Sequence, residues 1–314
     1  MRTAAAVSVV VAFVVAGMVY ERVSEKRSEN RFPRVGRAVD IGGRSLNLFC
    51  SGTGHPVVIF ESGGGLPGYS WVSIQRQIAR RSAACWYDRA GYGWSDPAPG
   101  PTTSADTARD LHQLLRNAGM RPPFVLVGHS IGGFHARVYT GMYPNDVAGL
   151  VFVDASHEDI DARIPQARAW IHLSPRLRPA LASVLVAMKD TAVLRVLHPP
   201  SHITPPPPGM SPAEWTTVQR LAAFPTTVLA SETEWFEPSA EQARASGTLG
   251  DRPLRVLAAG HSPPAWLELQ AELARLSTRG RLAIVHDSGH MIPFEAPDAV
   301  VRAIEDVLRH TASF

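Results

Sequence analysis

The stretch Gly128-His129-Ser130-Ile131-Gly132 constrains what this chain can fold into more than any other, because of what flanks it. Ahead of it, Pro123-Phe124-Val125-Leu126-Val127 is a short, partly β-branched apolar run that reads as a buried strand. Behind it, Gly133 to Tyr139 reads as the start of a helix. A serine between strand and helix, with glycine two residues to either side, forms a sharp elbow. Small residues are needed there because helix and strand approach closely around a strained turn. The turn holds the Ser130 hydroxyl out at the strand's C-terminal end, beside backbone N–H groups of the helix start. Ser130 is therefore a candidate nucleophile.

Strand and helix signals alternate on both sides of the elbow. Short strand-like runs cover Arg37–Ile41, Ser45–Cys50 and Pro56–Glu61, with Gly42-Gly43 as a hairpin turn between the first two. A helix is expected around Trp71–Arg81, a strand at Ala83–Asp88, a helix at Ala105–Ala118 and an apolar strand at Val147–Asp154. Such alternation implies a mainly parallel sheet with helices on both faces. It stops between residues 155 and 250, where the pattern is mostly helical, as in Ala180–Leu197, and where the run Pro205–Pro208 must be extended. It resumes with Leu254–Ala259, Ala265–Leu276, Leu282–His286 and Pro297–His310. The insertion is expected to lie over the sheet end that carries Ser130.

The N-terminus differs in character. Between Thr3 and Tyr20 the only polar residues are Thr3, Ser8 and Tyr20. About 17 apolar residues lie at the short end of a membrane span. The segment reads as an uncleaved anchor or an exported signal, with Val14-Val15-Ala16 a weak cleavage site, and less readily as a core helix. Membrane association through residues 3–20 is the expectation, followed by a polar linker over Glu21–Gly36. Arg22, Lys26, Arg27, Arg31 and Arg34 follow the segment and only Arg2 precedes it, which favours a cytoplasmic domain by charge. The remainder, in a chain of 314 residues that is 45% hydrophobic and 19% charged, has the makeup of a packed globular protein. Net charge is +3 and no nucleic-acid motif accompanies the basic residues, so nucleic acid is not expected as a partner. No HExxH, CxxC, P-loop or G-x-G-x-x-G is present, and neither a metal nor a cofactor is expected.

Four landmarks occur in order: Glu61-Ser62-Gly63-Gly64-Gly65 after the third strand, Asp88 to Asp96 (Asp-Arg-Ala-Gly-Tyr-Gly-Trp-Ser-Asp) after the fourth, the elbow, and Ser288-Gly289-His290 after the last. Together they resemble the α/β-hydrolase family with a helical cap, over about residues 35–312. The resemblance implies a mostly parallel eight-stranded sheet with the cap inserted after the sixth strand. The division is then 1–30 for the anchor or signal segment, 31–154 and 251–314 for the core, and 155–250 for the cap. It also implies the chain order serine, acid, histidine. His290 is the expected general base, since an imidazole can take the serine proton and return it. The expected oxyanion donors are the backbone N–H groups of Ile131 and Gly64. Arg89, in the second landmark, is expected to brace neighbouring loops, and Trp170, Trp215 and Trp235 are the cap aromatics expected to line a pocket. In the family's usual strand order Cys50 and Cys85 are neighbours, either as a disulfide or as two buried thiols.

The acid is the least obvious assignment. Most relatives carry it after the strand that follows the cap, but here Gly260-His261-Ser262-Pro263-Pro264 holds no carboxylate. Asp154, which ends the strand after the elbow helix, is the expected acid, with Glu158, Asp159 and Asp287 as competitors. A serine nucleophile argues against epoxide-hydrolase and dehalogenase chemistry, which uses aspartate there. Ile131-Gly132 replaces the Gly-Trp typical of prolyl aminopeptidases. The expected activity is cleavage of a carboxylic ester or related acyl bond of a small molecule through an acyl-enzyme. The alternatives are a lyase or carbon–carbon hydrolase on the same three residues, and a non-catalytic ligand-binding protein.

Overall fold

The computed structural model describes residues 2–100, 102–164, 184, 187–188, 191, 193, 205–222 and 234–311. Eight strands form one sheet: β1 (Arg37–Asp40), β2 (Ser45–Ser51), β3 (Val57–Glu61), β4 (Ala84–Tyr87), β5 (Phe124–His129), β6 (Val147–Val153), β7 (Leu254–Ala259) and β8 (Gly280–Val285). Their spatial order is β1-β2-β4-β3-β5-β6-β7-β8. β2 runs antiparallel to both neighbours, and every other pairing is parallel. At the first hairpin, Asp40 Oδ1 accepts the amides of Gly42 and Gly43 at 2.8 and 3.1 Å, which closes the expected glycine turn.

Alternation along the strands splits the core into two layers. Val57, Ile59, Leu126, Leu150, Phe152 and Val256 face one side, where they meet α3 (Ser104–Asn117) and α4 (Gly132–Met142). Val58, Phe60, Val125, Val127, Val151 and Val153 face the other, against α2 (Val72–Ile78). The central strands are buried on both faces, as a parallel sheet covered by helices requires.

Between β6 and β7 the described residues form α5 (Ile160–Arg163), α6 (Pro212–Ala222) and α7 (Phe236–Ala245). α7 packs back on the sheet helices: Ser239 Oγ accepts the Ser104 amide at 3.0 Å, and Arg137 donates to the Ala243 carbonyl at 2.9 Å. Ala180–Leu197 and Trp170 lie outside the described residues, apart from a few positions of the former. The chain closes with α8 (Pro264–Ala274), α9 (Ile292–Glu295) and α10 (Pro297–Thr311). Val300, Ile304 and Val307 of α10 complete the second core layer.

The N-terminal segment departs from expectation. It lies in α1 (Arg2–Arg31), which continues through most of the anticipated linker. No glycine or proline interrupts Met18 to Phe32, and Glu, Lys and Arg are good helix formers, so the helix runs on until Pro33. Among the described residues no helix is long and apolar enough to cross a membrane, so a span over residues 3–20 is not borne out there. Val14, Val15, Met18, Val19, Tyr20 and Val23 are exposed on α1, whereas Glu21 is buried.

Cys50 and Cys85 are direct cross-strand partners on β2 and β4 and form a disulfide, with Cα atoms 4.2 Å apart. This is the narrow spacing of facing residues in an antiparallel pair.

Candidate active site

Two adjacent strand ends lead into the candidate nucleophile and the candidate acid. Ser130 directly follows β5 with φ 53° and Asp154 directly follows β6 with φ 43°; these are the non-glycine residues in left-handed backbone among those described. Such conformations cost of order 1–3 kcal/mol each and persist where the surroundings enforce them. For Ser130 the enforcement is local. Its amide donates to Val153 O at 3.2 Å, and its carbonyl accepts from Gly133 and Ser156 at 3.0 and 2.9 Å. A Cβ on Gly128 would lie 2.5 Å from the Gly132 carbonyl oxygen, so strand and helix can meet only through glycine here. The Asp154 amide donates to Leu257 O at 2.7 Å, tying its turn to β7.

The Asp154 carboxylate is buried and has three donors. Oδ1 accepts the Ala259 amide at 2.9 Å and the Trp266 indole N–H at 2.7 Å. Oδ2 lies 2.6 Å from His290 Nδ1. Oδ1 is thus saturated, and the remaining oxygen fixes the tautomer by accepting from Nδ1–H, which leaves Nε2 as the basic nitrogen. The His290 side chain is about half exposed (47%), whereas Asp154 is 1% exposed. Among the described residues the partners of His290 are Asp154, His129 and Trp266; a hydrogen bond to Ser130 Oγ is not among them.

The loop bearing His290 is braced twice. Glu295 Oε2 accepts from Ser288 Oγ at 2.8 Å and from the Gly289 amide at 2.6 Å. His129 Nε2 reaches the His290 carbonyl at 2.9 Å. A carbonyl only accepts, so Nε2 carries the proton, and the buried Nδ1 has no hydrogen-bond partner. Burial, followed by the neighbouring His290, pushes the His129 pKa down to about 3, so this ring stays neutral.

The glycine loop sits directly against the elbow. A Cβ on Gly63 would lie 2.6 Å from His129 Nδ1 and 3.3 Å from the Ser130 Cβ. Gly64 is exposed beside it, and the Gly65 amide donates to the Tyr92 hydroxyl at 3.1 Å. Ile131 opens α4 as its N-cap. Behind the loop, buried Arg89 pairs with Glu61 at 2.9 Å, and Tyr87 also donates its hydroxyl to Glu61. Asp88 anchors the second landmark by accepting the Gly68 and Trp94 amides at 2.7 and 3.1 Å and Asn47 Nδ2 at 3.0 Å. Burial raises its pKa to about 6 even though those hydrogen bonds oppose the shift.

The competing carboxylates have other partners. Glu158 is bound by Arg137, whose bonds hold its pKa at about 2 against the opposing effect of burial. Asp159 pairs with Arg244 at 2.6 Å, and Asp287 is exposed. His157, Asp159 and Glu272 place ligand-type atoms within 4.8 Å of one another. Arg244 and Arg163 occupy the two carboxylates, however, and His157 Nδ1 accepts the Asp159 amide, so the cluster is an ion-pair network. Of the expected pocket aromatics, Trp215 on α6 packs edge-on against Phe294, just beyond His290, and Trp235 caps α7. Trp266, Ala259, Glu295 and His129 escaped sequence reasoning. The available signal was that a buried acid at Asp154 requires donors from the next strand and its helix.

The profile of the alpha/beta hydrolase fold family matches residues 56–297, and the chain belongs to that family. Among solved structures, a thermophilic esterase from Thermogutta terrifontis is 21% identical with a TM-score of 0.64, covering 88% of this chain and 99% of that one. That likeness shows the fold. Among curated proteins, the "Probable transporter efuK" of Hormonema carpetanum is 33% identical over 152 residues, which are 45% of this chain and 22% of that protein. An uncharacterized vacuolar membrane protein of Saccharomyces cerevisiae (strain YJM789) is 34% identical over 109 residues, 33% of this chain and 17% of its own length. The chain thus spans about a fifth of the length of these two relatives.

Because the His129 pKa is depressed, the folded state binds its proton less readily than the unfolded chain. Its contribution to stability is present above about pH 6.5 and is lost as pH falls toward about 3. His129→Gln keeps a donor for the His290 carbonyl without the titration. Urea melts of this variant should show a stability slope between pH 6 and 4 shallower by up to about 1.4 kcal/mol per pH unit. An unchanged slope would assign the acid sensitivity to other groups.

Proposed function

We propose that the protein is a serine hydrolase that cleaves a carboxylic ester or related acyl bond of a small molecule. Ser130 is the nucleophile, His290 the general base, Asp154 the acid that orients it, and the Ile131 and Gly64 amides the oxyanion donors. The observation that carries this reading is the 2.6 Å contact between His290 Nδ1 and an Asp154 carboxylate whose other oxygen is already filled by Ala259 and Trp266. A base held in one tautomer, on the loop next to a serine in a strained elbow, suits acyl transfer. Contacts between base and nucleophile are often long without substrate and tighten when it binds.

In this mechanism Ser130 Oγ adds to the substrate carbonyl as His290 Nε2 takes its proton. Asp154 stabilises the imidazolium, and the loop amides receive the developing oxyanion. Collapse expels the alcohol, which takes the proton back from Nε2. Water, activated by the same nitrogen, then releases the acid and frees Ser130. The segment between residues 155 and 250 acts as the cap, with Trp215 against Phe294 its described approach to the histidine loop.

The protein is also proposed to associate with a membrane through α1. Its exposed valines, Met18 and Tyr20 support this, as does the likeness to a yeast vacuolar membrane protein. The Cys50–Cys85 disulfide favours an oxidising compartment for the catalytic domain, against the sidedness that the basic flank suggests.

Ser130→Ala should lower kcat on p-nitrophenyl esters by about 10⁶-fold, and Asp154→Asn by roughly 10²–10⁴-fold, with melting temperatures close to wild type. Wild-type turnover in either variant would refute the assignment. In flotation with anionic lipid vesicles, the full chain should rise with the lipid and a chain lacking residues 1–31 should stay behind. Equal behaviour of the two would remove α1 as the membrane contact.

A further inference from the structure

The Ser62 and Gly63 carbonyls of the glycine loop share one side-chain donor, Arg89, and the Gly63 carbonyl also accepts the Leu66 amide at 3.3 Å. Arg89 Nη1 donates to the Ser62 carbonyl at 2.6 Å and Nη2 to the Gly63 carbonyl at 3.0 Å, while Nη1 also holds Glu61 at 2.9 Å. The Arg89 side chain is 5% exposed, and its guanidinium lies over the Tyr92 ring, 4.7 Å from its centroid. The Tyr92 hydroxyl takes the Gly65 amide, so one cluster grips the loop from Ser62 to Gly65. The same loop packs against the elbow, with Gly63 against His129 and Ser130, and Gly132 against the Glu61 and Ser62 carbonyls.

In a trans peptide the carbonyl and the following N–H point in opposite directions. The cis bonds among the described residues are His55-Pro56 and Pro122-Pro123, so the Gly63–Gly64 peptide is trans. A carbonyl drawn toward Arg89 therefore turns the Gly64 N–H away from Arg89, on a loop whose Gly63 packs against Ser130. Without side chains, two successive glycines have no steric preference of their own, so that plane is held by the donors to the Gly63 carbonyl, the Arg89 guanidinium at 3.0 Å and the longer Leu66 amide bond at 3.3 Å.

We infer that Arg89 is a positioning residue that sets the Gly63–Gly64 peptide plane and thereby aims the Gly64 N–H as an oxyanion donor. Its planar fork suits this task because it reaches two carbonyls and a carboxylate at once, which a lysine ammonium on a flexible stem cannot do in the same geometry. The proposal rests on the hydrolase reading above and adds the group that preorganises its oxyanion hole. Interactions aimed at charge that develops only in the transition state affect kcat and leave ground-state binding nearly unchanged.

Arg89→Lys retains a cation opposite Glu61. The double variant Glu61→Gln, Arg89→Met removes both charges, so neither leaves a buried carboxylate unpaired. In both, kcat for p-nitrophenyl butyrate should fall about 10²-fold while KM stays within about threefold of wild type. The affinity for an alkyl trifluoromethyl ketone, which forms a tetrahedral adduct with the serine, should fall in proportion to kcat. Adding guanidinium to the double variant at concentrations below those that unfold it should restore part of the rate. A purely structural role would instead lower the melting temperature and leave kcat and ketone affinity of the folded fraction intact, and that result overturns the proposal. A wild-type protein inert toward both ester and ketone overturns the hydrolase reading and this inference with it. An active wild type with unaltered kcat in the variants overturns the role of Arg89 alone.

Discussion

The site depends on backbone that the rest of the fold forces into an unfavourable conformation. Ser130 and Asp154 end neighbouring parallel strands in the left-handed region, where an ordinary side chain is strained. Each turn is bonded to the next strand over: the Ser130 amide goes to Val153 of β6, just before Asp154, and the Asp154 amide goes on to Leu257 of β7. Three successive strand ends are thereby linked in turn, which fixes Ser130 relative to Asp154, and the Asp154 carboxylate then reaches His290 after β8. The close contact of Gly128 with Gly132 is what allows the first of these turns to form.

Around this edge, two buried ion pairs and one hydrogen-bonded carboxylate connect the elements. Glu61 with Arg89 sits behind the glycine loop, Arg137 with Glu158 ties α4 to the segment after β6, and the Asp154 carboxylate accepts from Ala259, Trp266 and His290. Each pair connects elements that periodicity alone would leave free to shift. Buried ion pairs add little net stability but penalise alternative arrangements, because separating the partners strands a charge. The neutral His129 serves the same end without charge, by holding the histidine loop through a carbonyl.

Much of this was legible in the sequence where the signal is local. The elbow, the strand alternation and the landmark loops rest on short spacings, and the sheet realises them with boundaries moved by a few residues. The pairing of Asp154 with His290 could be anticipated because the position after Ala259 visibly lacks a carboxylate. Its donors could not: Trp266 lies 112 positions away and looks like any core tryptophan. The arginine fork at Arg89 likewise becomes specific only when Ser62 and Gly63 are seen against it. The extension of α1 past Tyr20 was legible in principle, since no breaker precedes Pro33, but charge composition pointed to a linker. Residues 165–183, where part of the insertion's character was sought, lie outside those described.

The central claim is that Ser130 is a nucleophile activated by the His290–Asp154 pair. Peptide mapping by mass spectrometry after exposure to a fluorophosphonate tests it most directly. The account predicts one covalent adduct, located on Ser130, that forms with the full chain and is strongly slowed in His290→Ala. An unmodified protein, or an adduct on another residue with Ser130 untouched, would contradict it.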